Sequence, residues 1–217
     1  MKKPAAGVLP VAIFDNELHM LIGRERVRHY YKAGGLWCGF GGVANSKETP
    51  DQCAAREWFE ECRGLTFKGG DGCTINSTIQ HIKENTCCTF VTETPDFEYT
   101  MYVVCVFWDD PGDVLRKFSD NGTKKRKCNE KDVIMWLPLN ACVNYPHEFR
   151  PEFYRVVCSN LTNICLKAHR VIQQAKKYMT TTKRKDHARP ETPLVREDGE
   201  TADEGPNSGG RAVEGSQ

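Results

Sequence analysis

The segment 42-GVANSKETPDQCAAREWFEECRGL-65 places Glu57, Glu60 and Glu61 within five residues, directly after Arg56. Carboxylates that close repel one another when ionised, so the group needs cations among its members or water around it. Hard divalent ions such as Mg²⁺ and Mn²⁺ take oxygen ligands and meet the first need. A solvated helix face meets the second. Three glutamates alone do not decide between the two.

The residues before them read as a helix start. Thr49 is the N-cap, Pro50 takes the first position, and Gln52 stands where a capping box needs it. At about 100° per residue, Ala54, Ala55, Trp58, Phe59, Cys62 and Leu65 share one arc, which should pack on a sheet. Glu57, Glu60 and Glu61 fall together on the other side, three and four residues apart.

Gly42, Glu48, Arg56-Glu57, the apolar Trp58 and Glu60-Glu61 follow the spacing G-x5-E-x7-R-E-U-x-E-E. This pattern resembles the Nudix box, whose full form continues x-G-U. The stretch 37-WCGFGG-42 resembles the Trp-x-x-x-Gly-Gly lead-in common in that family. Two positions depart from the pattern. Arg63 stands where the box has glycine, and Gly64-Leu65 follow one residue late; a helix one residue longer, ended by Gly64, would account for the shift. Phe40 stands where many members have proline.

The resemblance implies hydrolysis of the pyrophosphate linkage in a nucleoside diphosphate joined to another group, by in-line attack of a metal-activated water. It implies Glu57, Glu60 and Glu61 as ligands of Mg²⁺ or Mn²⁺, helped by the backbone carbonyl of Gly42. Glu48 and Arg56 would anchor and orient the helix. For the general base it points to Glu60 or Glu61, with Glu130 as the further acidic residue that many members bring from a later loop.

Substrate contacts lie outside the box. Arg24, Arg26 and Arg28 are candidate phosphate binders, and Tyr30, Tyr31 and Trp37 candidate stacking surfaces for a base; each is also readable as a loop charge or a core aromatic. The basic run 124-KKRK-127 suits a nucleic-acid backbone, or is simply a solvated loop. Capped RNA is therefore an alternative substrate and an mRNA-decapping enzyme an alternative reading. A non-catalytic nucleotide-binding module is the last alternative, and the presence of all three box glutamates argues against it.

The scaffold must hold this helix against a sheet. Residues 6–26 read as a hairpin turning at Asp15-Asn16, with Leu18, Met20 and Ile22 alternating. An Arg- and Tyr-rich loop follows over 24–35, then a short strand, 36-LWCGF-40. After the acidic helix, a loop rich in Gly, Thr and Asn leads to the strand 99-YTMYVVCVFW-108. Residues 111–132 form a polar, basic excursion before the strand 133-VIMWLPL-139. Phe153, Val157, Leu161, Ile164, Ala168, Ile172, Ala175 and Met179 recur at three and four, predicting one helix over 151–179 that opens at Pro151. The expected fold is α+β: a Nudix-like α/β/α sandwich with a mixed β-sheet and a long C-terminal helix, occupying residues 1–180. Residues 181–217, rich in Gly, Pro and charge, are expected to be a disordered tail.

Bulk properties set the remaining bounds. The 217 residues carry a formal net charge of +1, and no apolar run approaches the ~18 residues of a membrane span. Pro10 and Asp15 interrupt any signal-like segment, so the expected setting is the cytoplasm or nucleus, away from membranes. Eleven cysteines form no C-x-x-C pair. Their odd number and irregular spacing predict reduced thiols acting as small apolar residues.

Overall fold

Asp15 (φ 47°) and Asn16 (φ 61°) both adopt the left-handed conformation that a two-residue hairpin turn demands. They join β1 (Lys3–Phe14) to β2 (Glu17–Glu25), antiparallel in the register Val11↔Met20 and Phe14↔Glu17. This is the expected hairpin. The computed structural model describes residues 2–28, 32–62, 74–121 and 130–186.

β1 is the organising strand. Its first half pairs with β4 (Phe40–Val43), Ala6 facing Gly42 and Gly7 facing Gly41, and its second half pairs with β2. Its other edge carries β6 (Phe97–Cys105) in parallel, and β5 (Thr86–Glu93) lies antiparallel outside β6. β3 (Trp37–Cys38) and β7 (Lys131–Pro138) both pair with β2. One parallel pair among antiparallel ones makes the seven-stranded sheet mixed.

Helices cover both faces. On one, α1 (Pro50–Glu61), α2 (Ile75–Asn85) and α3 (Pro111–Asn121) bury Ala54, Trp58, Ile82 and Phe118 against Ala6, Val8, Leu21 and Phe40. Phe40, the residue in place of proline, is thus a core side chain. A short α4 (Ala141–Asn144) and a 3-10 turn, Pro146–Glu148, lead to the other face. There α5 (Pro151–Ser159) and α6 (Leu161–Asp186) bury Phe153, Val157, Ile164 and Ala168 against Leu9, Val11, Met20 and Val103. The α/β/α sandwich is as expected.

Four details differ from the sequence reading. The helix expected over 151–179 breaks at Asn160, whose side chain donates to the Val156 carbonyl at 2.8 Å and so competes with the helical ladder. α6 then runs to Asp186, beyond the expected boundary at 180; residues 187–217 lie outside the described residues. The supposed loop before β6 holds α2 and β5. Thr74 and Ser77 cap α2 reciprocally, while β5 is a half-exposed edge strand whose composition reads as polar. Residues 111–121 of the polar excursion form α3, whose inward residues are Val114 and Phe118. Two buried positions are too few for periodicity to reveal.

Candidate active site

The capping box forms as read: Gln52 N–H donates to Thr49 Oγ1, and Thr49 N–H donates to Gln52 Oε1 at 3.0 Å. It fixes the start of α1, and Cys53, Ala54, Ala55 and Trp58 seat the helix on β1 and β4. α1 closes at Glu61 with Cys62 as cap; Arg63, Gly64 and Leu65 lie outside the described residues.

Arg56 gathers the outer charges. Its Nε and Nη2 donate to the two oxygens of Glu48 at 2.8 and 3.0 Å, and Nη2 also reaches the Val43 carbonyl at 3.1 Å. Nη1 donates to Glu57 at 2.7 Å and to Glu60 at 3.3 Å. Glu48 accepts the Asn45 N–H at 2.8 Å as well, so Arg56 ties α1 to the loop that leads into it. The hydrogen bonds from Arg56 hold the Glu48 carboxyl below the usual carboxylate range. Burial pushes Glu57 up, against the pull of Arg56.

Glu61 departs from the expected outward cluster. It is 3% exposed and turns inward at the end of α1. One oxygen accepts the Gly41 N–H at 2.8 Å, and the other lies 3.3 Å from Lys131 Nζ. Lys131 is buried too, 2.7 Å from Glu25 Oε1 and 2.9 Å from Cys38 Sγ. Arg150 Nη1 reaches the same Glu25 oxygen at 3.4 Å. Burial pushes Cys38 up to about 11, so its thiol stays protonated and donates to Glu25 at 3.2 Å. Burial likewise pushes Glu61 up to about 8, while Lys131 and the Gly41 N–H pull the other way. Burial alone would lower Lys131; the Cys38 sulfur, Glu61 and Glu25 reverse that and hold its pKa well above the ordinary value.

The model of the NUDIX domain family matches residues 1–156. The chain belongs to the Nudix family. Among solved structures it is similar to the bifunctional NMN adenylyltransferase/ADP ribose pyrophosphatase of Francisella tularensis, complexed with AMP and a Mn ion. The identity is 17% and the TM-score 0.51, over 76% of this chain and 42% of that one, so this chain spans less than half that protein's length. It is also similar to the Nudix domain of Shewanella oneidensis NrtR complexed with ADP ribose, at 12% identity and TM-score 0.47, over 76% and 89% of the two chains. A C. elegans Ap4A hydrolase matches at 14% identity and TM-score 0.44, over 75% and 98%. The Francisella likeness is one of fold, and agrees with the mixed sheet between two helical layers.

Beside the Nudix box, the paired ends of β2 and β7 bring in Glu130. Its carbonyl accepts the Arg26 N–H at 2.7 Å, and its carboxylate is near enough to Glu57 to oppose that group's ionisation. Arg24 binds Asp132 with two bonds, at 3.0 and 3.2 Å, and lies 5.8 Å from the centre of the Trp37 ring. Arg24 and Trp37 are thus held together where β2 pairs with β3, with Arg26 and Arg28 half-buried a few residues further along the chain. Tyr30, Tyr31 and the run 124–127 lie outside the described residues.

The sequence reading missed Glu25, Cys38 and Lys131. Lys131 falls in the polar stretch 111–132, and Glu25 where the hairpin 6–26 overlaps the loop 24–35, yet each is a strand residue. Alternation does not mark Glu25: Leu18, Met20 and Ile22 share one face of β2, Leu21, Gly23 and Glu25 lie on the other, and both faces are buried.

The donor set of the box suits a hard cation. All its groups are oxygens, and a Cβ on Gly42 would stand 2.4 Å from Glu57 Oε1, so only glycine lets this carboxylate settle beside the strand backbone. Among the described residues no three acidic, His or Cys side chains yet converge at ligating distance. Arg56 and Lys131 instead draw the glutamates to themselves. Glu57 and Glu60 would be the groups to hold a divalent ion, and Arg56 binds Glu48 through other nitrogens than the Nη1 that it gives to them.

Proposed function

We propose that this Nudix hydrolase cleaves the diphosphate linkage of a small nucleotide, a nucleoside diphosphate joined to another group. In this reading Glu57, Glu60 and Glu61, with the Gly42 carbonyl, hold Mg²⁺ or Mn²⁺. The observation that carries it is the placement of Glu57, Glu60 and Glu61 along the end of α1, with the Glu57 carboxylate lying against the Gly42 backbone. Such an ion, when bound, neutralises phosphate charge and lowers the pKa of water.

The residues of the chain divide the remaining work. Glu60 has the most exposed side chain of the three, at 33%, and is the general base of first choice because water and substrate can reach it. Glu61 has both oxygens engaged and serves better as a fixed ligand than as a proton carrier. Glu130, across from Glu57, is the second candidate base. Glu48 and Arg56 hold α1 in place. Arg24, Arg26, Arg28 and Trp37 remain the candidate contacts for phosphate and base. No described helix is long and apolar enough to cross a membrane, and a small nucleotide substrate suits the cytoplasm.

A panel of ADP-ribose, dinucleoside polyphosphates, sugar-linked nucleotides and capped RNA, each with Mg²⁺ or Mn²⁺, tests the reading. Turnover of one of the small nucleotides with either ion is the expected result. Preferential cleavage of capped RNA would replace it with the decapping reading, and no metal-dependent turnover on any member would overturn it.

A further inference from the structure

We infer that Lys131 is a positioning residue for Glu61, built into the sheet to aim one box carboxylate at the metal. The inference rests on the proposed role of Glu61 as a metal ligand. Lys131 begins β7 opposite Glu25 on β2, and its ammonium is almost fully enclosed. A lone ammonium so placed would be very costly. Glu25 offsets that cost at 2.7 Å, closer than Glu61 at 3.3 Å. Glu25 is therefore the anchor of Lys131, and Glu61 is what the anchored ammonium reaches.

The path of the side chain is built as well. A Cβ on Gly23 would stand 2.9 Å from both Cγ and Cδ of Lys131, so the stem crosses β2 where only glycine leaves room. Cys38, paired with Gly23 across the β2–β3 ladder, gives the ammonium a third neighbour at 2.9 Å. With Gly41 N–H on the other oxygen at 2.8 Å, Glu61 is held at two points, one from β4 and one from β7. A carboxylate gripped at both oxygens cannot rotate away when its helix neighbours respond to a cation. Partners standing behind metal ligands commonly govern metal affinity in this way.

Mn²⁺ binding, read by the electron paramagnetic resonance of the free ion, tests this without relying on turnover. The variants are Glu61→Gln, Lys131→Met with Glu25→Gln, and Gly23→Ala. The double change removes an ammonium and its anchoring carboxylate together, so the balance of buried charge is kept. Gly23→Ala removes no charge and only displaces the stem; it carries the test alone if the double variant does not fold. The expected result is a Mn²⁺ affinity weakened about tenfold or more in both, at a melting temperature that rules out unfolding. A purely structural Lys131 would change the melting temperature and leave Mn²⁺ affinity at the parental value, which overturns the inference. Tighter Mn²⁺ binding would mean that Lys131 competes with the metal, and overturns it too. Parental affinity in Glu61→Gln would remove the ligand reading and this inference together. Loss in Glu61→Gln with none in the Lys131 and Gly23 variants removes this inference alone.

Discussion

Arg56 and Lys131 neutralise the same acidic helix from opposite settings. Arg56 belongs to α1 itself, and four of its five oxygen contacts are to side chains within eight residues of it. Lys131 arrives from the far end of the fold, 106 residues from its anchor Glu25, and is buried. The outer arrangement is partly exposed and so can rearrange. The inner one is enclosed and held by its neighbours. A metal site benefits from both, since some ligands must turn toward the ion while another marks where it sits.

The largest effects should separate the carboxylates by role. Glu60→Gln is expected to lower kcat by at least about 10²-fold, the scale of losing a general base or a ligand, while the melting temperature of the metal-free protein holds or rises. Glu61→Gln should cost a similar factor. Near-parental steady-state rates in both variants would break the comparison at its root, since neither region would then serve catalysis.

Stability should rank the two cations in the reverse order of their accessibility. Lys131→Met alone takes the buried ammonium away from both Glu25 and Glu61 and should cost about 3–5 kcal/mol. Arg56→Gln should cost about 1–3 kcal/mol, because water replaces part of each lost bond. Urea midpoints of the metal-free proteins measure both. Equal losses would show that the outer group is as rigidly built as the inner one.

This division also explains what could be read from the sequence. Thr49, Gln52, Glu48, Arg56 and the glutamates lie within one short segment, where spacing along a helix is spacing in space, so the capping box and the outer charges were legible. The hairpin at Asp15-Asn16 was legible for the same reason. Glu61 was misplaced on the solvent side because helical angle alone does not reveal Lys131, a cation on a distant strand. Glu25 and Lys131 looked like loop charges because polar residues rarely enter a sheet interior unless paired, and the pairing is visible only once β2 and β7 meet. α2, β5 and α3 were missed for a different reason: each buries too few side chains to print a period on the sequence.

Metal removal should affect function and leave the scaffold intact. The described cysteines Cys38, Cys53, Cys62, Cys87, Cys88, Cys105, Cys142, Cys158 and Cys165 are free thiols, most of them packed among apolar side chains. EDTA is expected to stop turnover with little change in far-UV circular dichroism at 25 °C. A structural zinc site would respond by unfolding, and stoichiometric zinc in the purified protein would overturn the assignment of these thiols as core residues.

The smallest expected effect is in acid, and it distinguishes the two ends of α1 by sign. Hydrogen bonds from Arg56 depress the Glu48 carboxyl in the folded protein, whereas the unfolded chain titrates near the ordinary value of about 4.3. A depressed folded pKa contributes stability above the unfolded value, and that contribution is lost as pH falls through the folded one. Glu61 is shifted the opposite way, up to about 8, so below the ordinary carboxylate range it is protonated in both states and adds no slope there. Glu48→Gln should therefore flatten the acid limb of melting temperature against pH below about 4, and Glu61→Gln should leave its shape unchanged. An acid limb that keeps its full slope in Glu48→Gln would mean that the Glu48–Arg56 bonds do not hold α1 in solution, and the outer group would lose its claim to orient the helix.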